Sequence, residues 1–214
     1  MNDHIKGMLK DALILFVITL SAGLILGVVY QVTKEPIATQ KAKVKQEACK
    51  EVFSEAESFE IVQTAQAEDE WVLQKSELGF EAVDIDEVMK ALDADNNMLG
   101  YVITVTDHEG YSGDIQFMLG IGEGGTLNGI SILSISETAG LGMRAEEVLK
   151  PQFADKQVDF FEYTKSGAQR DNQIDAISGA TITTNAVTNG VNAGLYYFRT
   201  FLNTNIMEGG SGNE

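Results

Sequence analysis

The stretch Asp175-Ala176-Ile177-Ser178-Gly179-Ala180-Thr181-Ile182-Thr183 lies directly before the last strongly periodic segment of the sequence. In that segment apolar residues recur at spacings of four, four, three and four, which is typical of one apolar face of a helix. These residues are Val187, Val191, Leu195, Phe198 and Leu202. The pattern predicts an amphipathic helix that starts at Thr183 or Thr184, with threonine at the N-cap, and ends at about Leu202. The quoted stretch is then the loop that leads into this helix.

The composition of this loop allows two interpretations. Its small residues leave the backbone close to anything that binds there. A helix N-terminus offers unpaired N–H groups and the positive end of the helix dipole, and both favour a phosphate. Ser, Gly and Thr before a helix are also ordinary capping residues, and residue chemistry alone favours that simpler interpretation.

Upstream of the loop, the sequence predicts a meander of strands. The runs 101–106, 115–121 and 130–135 are β-branched, apolar or alternating, and turn signals separate them at Glu109-Gly110 and at 122–125. The glycine cluster at 122–125 lacks the Lys-Ser/Thr of a P-loop, so a hairpin turn is the preferred interpretation. A helical pattern at 145–149 ends before Pro151, as expected.

The N-terminal part of the chain contains an apolar run, Ala12 to Tyr30, of nineteen residues without a charge. At helical rise this length just crosses the hydrocarbon core of a bilayer. A cleaved signal peptide is the main alternative, because Lys6 and Lys10 precede the run. The run is longer than a usual signal-peptide core and no small-x-small cleavage site follows it, so we expect an uncleaved single-span anchor.

The segment after the anchor is less regular. Residues 36 to about 60 have near-helical apolar spacing and predict a helix that leaves the membrane. Residues 62–97 contain an acidic patch, Trp71 and a short helical pattern around Asp86 to Leu92, and we expect a variable, partly exposed region there.

Composition excludes several classes of function. The formal net charge of −17 makes nucleic acid an improbable partner, since phosphate binding needs a clustered basic surface. The single cysteine, Cys49, has no second cysteine for a disulfide, redox pair or metal site. His4 and His108 fit neither a metal-ligand spacing nor a Ser-His-Asp arrangement, so we expect no metal site and no catalytic residues of the hydrolytic kind.

Three motifs carry a family resemblance. The pattern Asp175-x-x-Ser178-Gly179-Ala180-Thr181-x-Thr183 resembles the flavinylation motif of the FMN-binding domain found in the G subunit of the Rnf electron-transport complex and in the C subunit of the Na⁺-translocating NADH:quinone reductase. The segment 136–142 (Ser-Glu-Thr-Ala-Gly-Leu-Gly) is similar to the family's Glu-Thr-Pro-Gly-Leu-Gly, with Ala139 where proline is usual. The segment 110–115 (Gly-Tyr-Ser-Gly-Asp-Ile) is similar to a strand-turn segment typical of the Rnf subunit.

The resemblance implies the cofactor and its attachment. In the family, the motif threonine, here Thr181, is esterified to the FMN phosphate by a separate flavin transferase that takes the group from FAD. Ser178 and the amides of 179–183 would hold the phosphate, and Asp175 would shape the loop or be read by the transferase. The residues expected at the cofactor are Thr181, Ser178, Gly179, Ala180, Thr183, Asp175, Glu137, Thr138, Gly140, Leu141 and Tyr111.

The resemblance covers the anchor and roughly residues 99–202, and implies an α+β fold class. We expect a single transmembrane helix followed by an FMN-binding domain with a largely antiparallel sheet and packing helices. The expected divisions are an N-terminal segment (1–11), the transmembrane helix (12–30), a membrane-proximal helix and variable region (31–98), the domain core (99–202) and a flexible tail (203–214).

The function implied is that of an electron-transfer subunit in a membrane-bound, ion-translocating ferredoxin:NAD⁺ oxidoreductase. Its partners would be the other subunits, including multi-span flavin and iron–sulfur subunits. The alternatives are the C subunit of the NADH:quinone reductase, a stand-alone extracytoplasmic flavoprotein reductase, and a cofactor-free membrane-tethered binding domain. Lysines flanking the span would place the domain in the cytoplasm, whereas the family places it outside, and we follow the family because the charge rule weakens for long translocated domains.

Overall fold

The structure is a computed structural model that describes residues 2–62 and 65–203. The chain divides into two compact units, Met1–Lys45 and Gln46–Glu214. Apart from Asn203, the predicted flexible tail lies outside the described residues.

The first unit is formed by helix α1 (Asn2–Val52), whose last residues extend into the second unit. The most apolar 18-residue window of α1 has a mean hydropathy of 2.7. Helix α1 is therefore long and apolar enough to cross a membrane. The expected N-terminal apolar helix is therefore confirmed. The helix predicted from 36 to about 60 is wrong in its limits, because α1 runs through Pro36 without a break and ends at Val52.

The second unit is built on a five-stranded antiparallel sheet in the order β1-β2-β3-β4-β5. The strands are β1 (Ser58–Ile61), β2 (Val83–Leu92), β3 (Met98–Asp107), β4 (Ile115–Gly122) and β5 (Leu127–Ile135). The predicted meander corresponds to β3, β4 and β5, and the Gly122 N–H donates to the Thr126 carbonyl across the predicted hairpin turn. These observations confirm the α+β fold class.

The short helix predicted around Asp86 to Leu92 is wrong, since these residues belong to β2. A register shift between Ile85 and Glu87 interrupts the pairing of β2 with β3. Such a bulge breaks the period-two alternation that identifies a strand in a sequence. Trp71 of α2 (Ala65–Gln74) is also only 2% exposed, so the region expected to be partly exposed contributes to the core.

Helix α4 (Thr181–Tyr197) packs against one face of the sheet and continues as a π-helical turn (Phe198–Leu202). The approach is close, because a Cβ atom on Gly190 would lie 2.7 Å from Cζ of Phe117, and one on Gly194 would lie 2.8 Å from a methyl carbon of Leu119. Glycine at these positions lets the α4 backbone rest directly on β4. The predicted end of the helical segment at Leu202 is confirmed.

The opposite face of the sheet is covered by the last turns of α1, where Ala48, Cys49 and Val52 pack against Val102 and Met118. The remaining elements are the 3₁₀ turns Gly142–Arg144 and Lys150–Phe153, α3 (Ala145–Val148), and the parallel strands β6 (Glu162–Thr164) and β7 (Gln173–Asp175). The helical pattern predicted at 145–149 thus contains α3, and the chain continues as a 3₁₀ turn through Pro151.

Candidate functional site

A cleft of about 460 Å³ lies where three loop segments meet at the N-terminus of α4. Its walls come from the β3–β4 loop, from the segment that follows β5, and from the loop and first turn of α4. The lining residues are Tyr111, Glu137, Thr138, Leu141, Gly142, Gly179, Ala180, Thr181, Ile182 and Thr183. A volume of this size is within the range of small-molecule and cofactor sites.

The structure brings together eight of the eleven residues that the sequence predicted for the site. Three predicted residues, Asp175, Ser178 and Gly140, do not line the cleft. Two lining residues, Gly142 and Ile182, were not predicted. Gly142 is the last residue of the motif segment 136–142, so that motif could have identified it as a site residue. Nothing in the residue type of Ile182 indicates that it lines a cleft.

The N-terminus of α4 differs from the prediction. The helix begins at Thr181, its N-cap is Ala180, and no side chain caps it. The predicted threonine N-cap at position 183 or 184 is therefore wrong. The Thr184 hydroxyl accepts a hydrogen bond from the Ile177 N–H at 3.1 Å and donates to the Ala180 carbonyl at 2.9 Å, which ties the loop to the first turn. An uncapped first turn leaves N–H groups available to an anion.

Gly179 shapes the loop just before α4. Its φ of +80° lies in the left-handed region, which residues with a Cβ atom adopt only under strain. A Cβ atom on Gly179 would also lie 3.2 Å from a methyl carbon of Leu141, across the cleft. Gly179 therefore gives the turn its shape and lets the two walls approach each other.

The threonines of the first turn have different environments. Thr181 is partly exposed and lines both the cleft and an adjoining depression next to Asn185. Thr183 is 1% exposed, and a Cβ atom on Gly142 would lie 2.6 Å from its hydroxyl oxygen. Thr184 is fully buried and its hydroxyl is used by the loop. Among these three residues, Thr181 is the one whose side chain an external reagent can reach.

The segment that carries Ala139 forms a tight turn without the usual proline. The Leu141 N–H donates to the Thr138 carbonyl at 3.1 Å, and the Met143 N–H donates to the same carbonyl at 3.3 Å. Gly140 has a φ of +77° at the centre of this turn. Hydrogen bonding and a glycine thus fix the turn that places Leu141 and Thr138 in the cleft wall.

Asp175 stabilises the neighbouring turn and does not face the cleft. Its carboxylate accepts a hydrogen bond from the Ala168 N–H at 2.8 Å. Its main chain is bound by the Gln152 amide, which accepts from the Asp175 N–H at 2.6 Å and donates to the Asp175 carbonyl at 3.1 Å. These contacts fix the end of β7, from which the loop to α4 starts.

A buried carboxyl group, that of Asp107, lies at the end of β3. Asp107 is fully buried, its Oδ1 accepts the Glu109 N–H at 2.8 Å, and its Oδ2 makes no hydrogen bond of normal length within the described part of the chain. Burial raises the pKa of the Asp107 carboxyl from 3.8 to about 6. The folded state therefore holds this proton more tightly than the unfolded state does.

This difference predicts a pH-dependent stability. The free energy of unfolding falls as the pH rises from 3.8 to about 6, because the unfolded chain then loses a proton that the folded chain still holds, and the loss is complete above this range. We expect Asp107→Asn to raise the free energy of unfolding by about 3 kcal/mol at pH 8 and by almost nothing below pH 3.8. Urea unfolding of the full-length protein at both pH values checks this.

Asp95→Asn, at an exposed turn position, is the matched control for that measurement. It should leave the pH profile of stability as it is in the unmodified chain. An Asp107→Asn protein with an unchanged profile would show that Asp107 is ionised at no cost in the folded state.

Comparison with known proteins gives matches to two families and to several relatives. Residues 110–196 match the FMN-binding domain family, and residues 1–52 match the RnfG N-terminal region. The G subunit of the Na⁺-translocating ferredoxin:NAD⁺ oxidoreductase complex of Acetobacterium woodii is 32% identical over 91% of this chain and 93% of that protein. The G subunit of the ion-translocating oxidoreductase complex of Methanosarcina acetivorans is 31% identical over 92% and 97%.

Among solved structures, the C subunit of the Na⁺-translocating NADH-quinone reductase of Parabacteroides distasonis is 19% identical. The match covers 70% of this chain and 79% of that one, with a TM-score of 0.49.

An N-terminal apolar helix and a sheet domain that matches the FMN-binding family define a membrane-associated, FMN-binding protein. Within that class, the chain belongs to the family of G subunits of ion-translocating oxidoreductase complexes.

Proposed function

We propose that this chain carries FMN as a phosphoester on Thr181 and relays electrons as the G subunit of an ion-translocating ferredoxin:NAD⁺ oxidoreductase. The observation that carries the proposal is the exposure of Thr181 at the uncapped N-terminus of α4, inside a cleft of suitable size within the matched FMN-binding region. The relatives whose names state this activity are similar over nearly their whole length.

The residues around Thr181 fit a phosphate ester. Thr181, Ile182 and Thr183 in the first turn present main-chain N–H groups at the positive end of the α4 dipole, which favour the negative charge of a phosphate, whereas the Ala180 N–H donates to the Ile177 carbonyl at 3.0 Å. Among the described residues, no lysine or arginine lines the cleft, so the N–H groups would supply the attraction. The small side chains of Gly179 and Ala180 leave room for the group next to the backbone.

The attachment itself requires a separate enzyme. A threonine hydroxyl is a weak nucleophile, and the described residues that line the cleft include no histidine, lysine or cysteine, while their one carboxylate, Glu137, is 8% exposed and accepts the Ser112 N–H. We therefore assign the transfer to a flavin transferase that takes the FMN group from FAD. An exposed Ser178 and the loop anchored by Asp175 form the surface next to Thr181 that such an enzyme would meet.

Once attached, the flavin accepts and donates electrons, and this chain supplies position and electrostatic environment. The apolar side chains of Leu141 and Ile182 and the ring of Tyr111 provide surface for the isoalloxazine in the cleft. Glu137 places an acidic group in the same wall. The flavin domain lies on the extracytoplasmic side in this proposal, with multi-span flavin and iron–sulfur subunits as its electron partners.

The test uses the unmodified chain in cells with and without a flavin transferase. With the transferase, we expect a band that fluoresces under ultraviolet light on a denaturing gel and a mass gain of one FMN less one water. Without it, the same chain should be colourless after denaturation. A colourless, unmodified chain from cells that flavinylate another target would support the cofactor-free binding domain.

A further inference from the structure

Residues 108–114, here named the Tyr111 loop, connect β3 to β4 and form one wall of the cleft. The two ends of this loop are held together, because His108 Nδ1 lies 2.8 Å from Asp114 Oδ1. The other ring nitrogen of His108 lies 3.0 Å from Asp84 Oδ2 on β2, and the other oxygen of Asp84 binds Lys75 at 2.6 Å. The ends of the loop are therefore fixed to the sheet independently of the cleft.

The middle of the Tyr111 loop depends on a different contact. Tyr111 is 67% exposed, so packing of its own ring does not fix it. On either side of Tyr111 the main chain meets the carboxylate of Glu137. The Ser112 N–H donates to Glu137 Oε1 at 3.4 Å, and a Cβ atom on Gly110 would lie 2.8 Å from the same oxygen.

The rest of the Glu137 side chain is enclosed by the other two walls. A Cβ atom on Gly142 would lie 2.8 Å from Glu137 Oε2, 2.7 Å from Glu137 Cβ and 2.6 Å from the Thr183 hydroxyl oxygen. Glu137 is only 8% exposed in this position. Its side chain thus extends from the segment after β5, past the first turn of α4, to the Tyr111 loop.

We propose that Glu137 is a positioning residue whose carboxylate holds the middle of the Tyr111 loop and thereby keeps Tyr111 at the wall of the cleft. The effect on the flavin rests on the proposed function, whereas the contact between Glu137 and the loop does not. The geometry requires the length of the side chain and an acceptor oxygen at its end. It follows that Glu137→Gln should preserve the loop, and that Glu137→Asp, which is one methylene shorter, should release it.

The first experiment needs no flavin. In the full-length Thr181→Val chain, we expect Glu137→Ala and Glu137→Asp to speed amide hydrogen exchange at residues 110–113 about twofold, the effect of losing one long hydrogen bond. Glu137→Gln should exchange at the parent rate, and β3 and β4 should be unaffected in all variants. Unchanged exchange in both Glu137→Ala and Glu137→Asp, or an equal increase throughout β3 and β4, would overturn the inference.

The second experiment uses the flavinylated chain and iodide, which quenches exposed flavin fluorescence. We expect Glu137→Ala and Glu137→Asp to increase the quenching constant about twofold and Glu137→Gln to leave it unchanged. Tyr111→Ala should give the same increase, and adding Glu137→Ala to Tyr111→Ala should add nothing, because the two residues then act through one contact. Additive effects would show that Glu137 does not act through Tyr111.

The two experiments separate the inference from the proposed function. A chain that never acquires FMN but shows the expected exchange pattern would contradict the proposed function and support the role of Glu137. If the chain is flavinylated but its hydrogen exchange and its quenching constant do not change in Glu137→Ala and Glu137→Asp, the result would support the proposed function and contradict the role of Glu137.

Discussion

Thr181→Val is expected to abolish covalent FMN attachment completely, with no fluorescent band on a denaturing gel and no mass gain. The substitution keeps the branched shape of the side chain and removes only the hydroxyl that would form the ester. Thr181 is the first residue of α4 and is partly exposed in the cleft. Because no neighbouring threonine of the first turn is accessible, we expect no transfer of the modification to another position.

Thr183→Val is the matched control for this experiment, since it removes a hydroxyl two residues away by the same substitution. Thr183 is 1% exposed and lies against Gly142, so its hydroxyl is not available to a transferase. This variant should keep the full mass gain and the fluorescence. Fluorescence that persists in Thr181→Val would refute the assignment of the ester to Thr181, and circular dichroism of both variants would confirm that each is folded.

Phe117→Ala is expected to lower the free energy of unfolding by about 3 to 5 kcal/mol, the usual cost of removing a buried aromatic ring. Phe117 is fully buried on β4, and its ring lies directly under Gly190 of α4. Its removal leaves a cavity between the sheet and the helix that carries Thr181. Urea unfolding of the full-length protein, followed by the fluorescence of the single tryptophan, Trp71, measures the change.

Phe160→Ala is the control for this effect, because Phe160 is 50% exposed. The same substitution there should change the free energy of unfolding by about 0.5 kcal/mol or less. Similar losses in the two variants would mean that the packing between α4 and β4 contributes no more to stability than a surface ring does.

The parts of the fold that the sequence predicted are those with a regular helical spacing or with a run of β-branched and apolar residues between turn signals. The α4 segment has an apolar face at helical spacing, and the runs that became β3, β4 and β5 are rich in β-branched and apolar residues. β2 was mistaken for a helix because a bulge near Asp86 interrupts its alternation. Its assignment depends on pairing with β1 and β3, which is tertiary information.

The candidate site was predicted in pieces. Each wall of the cleft is a short motif that the sequence contains, but their convergence depends on the sheet order and on the packing of α4. The start of α4 was misplaced because Thr184 uses its hydroxyl inside the helix, where sequence rules expect a threonine to act as the cap. Gly142 was not predicted, because its role is to leave space between Glu137 and Thr183, and that closeness is visible only in the folded structure.

The geometry of the first turn of α4 also determines which of its threonine hydroxyl groups is accessible. Successive residues of an α-helix are rotated by about 100°, so the hydroxyls at 181, 183 and 184 point in three directions from one backbone. Of these three residues Thr181 is the partly exposed one, whereas Thr183, in the wall of the cleft, and Thr184 are buried. Under the proposed function, the choice of modified threonine is therefore a matter of helical phase, and inserting one residue between Thr184 and Val187 would rotate the first turn by about 100° relative to the buried face of α4.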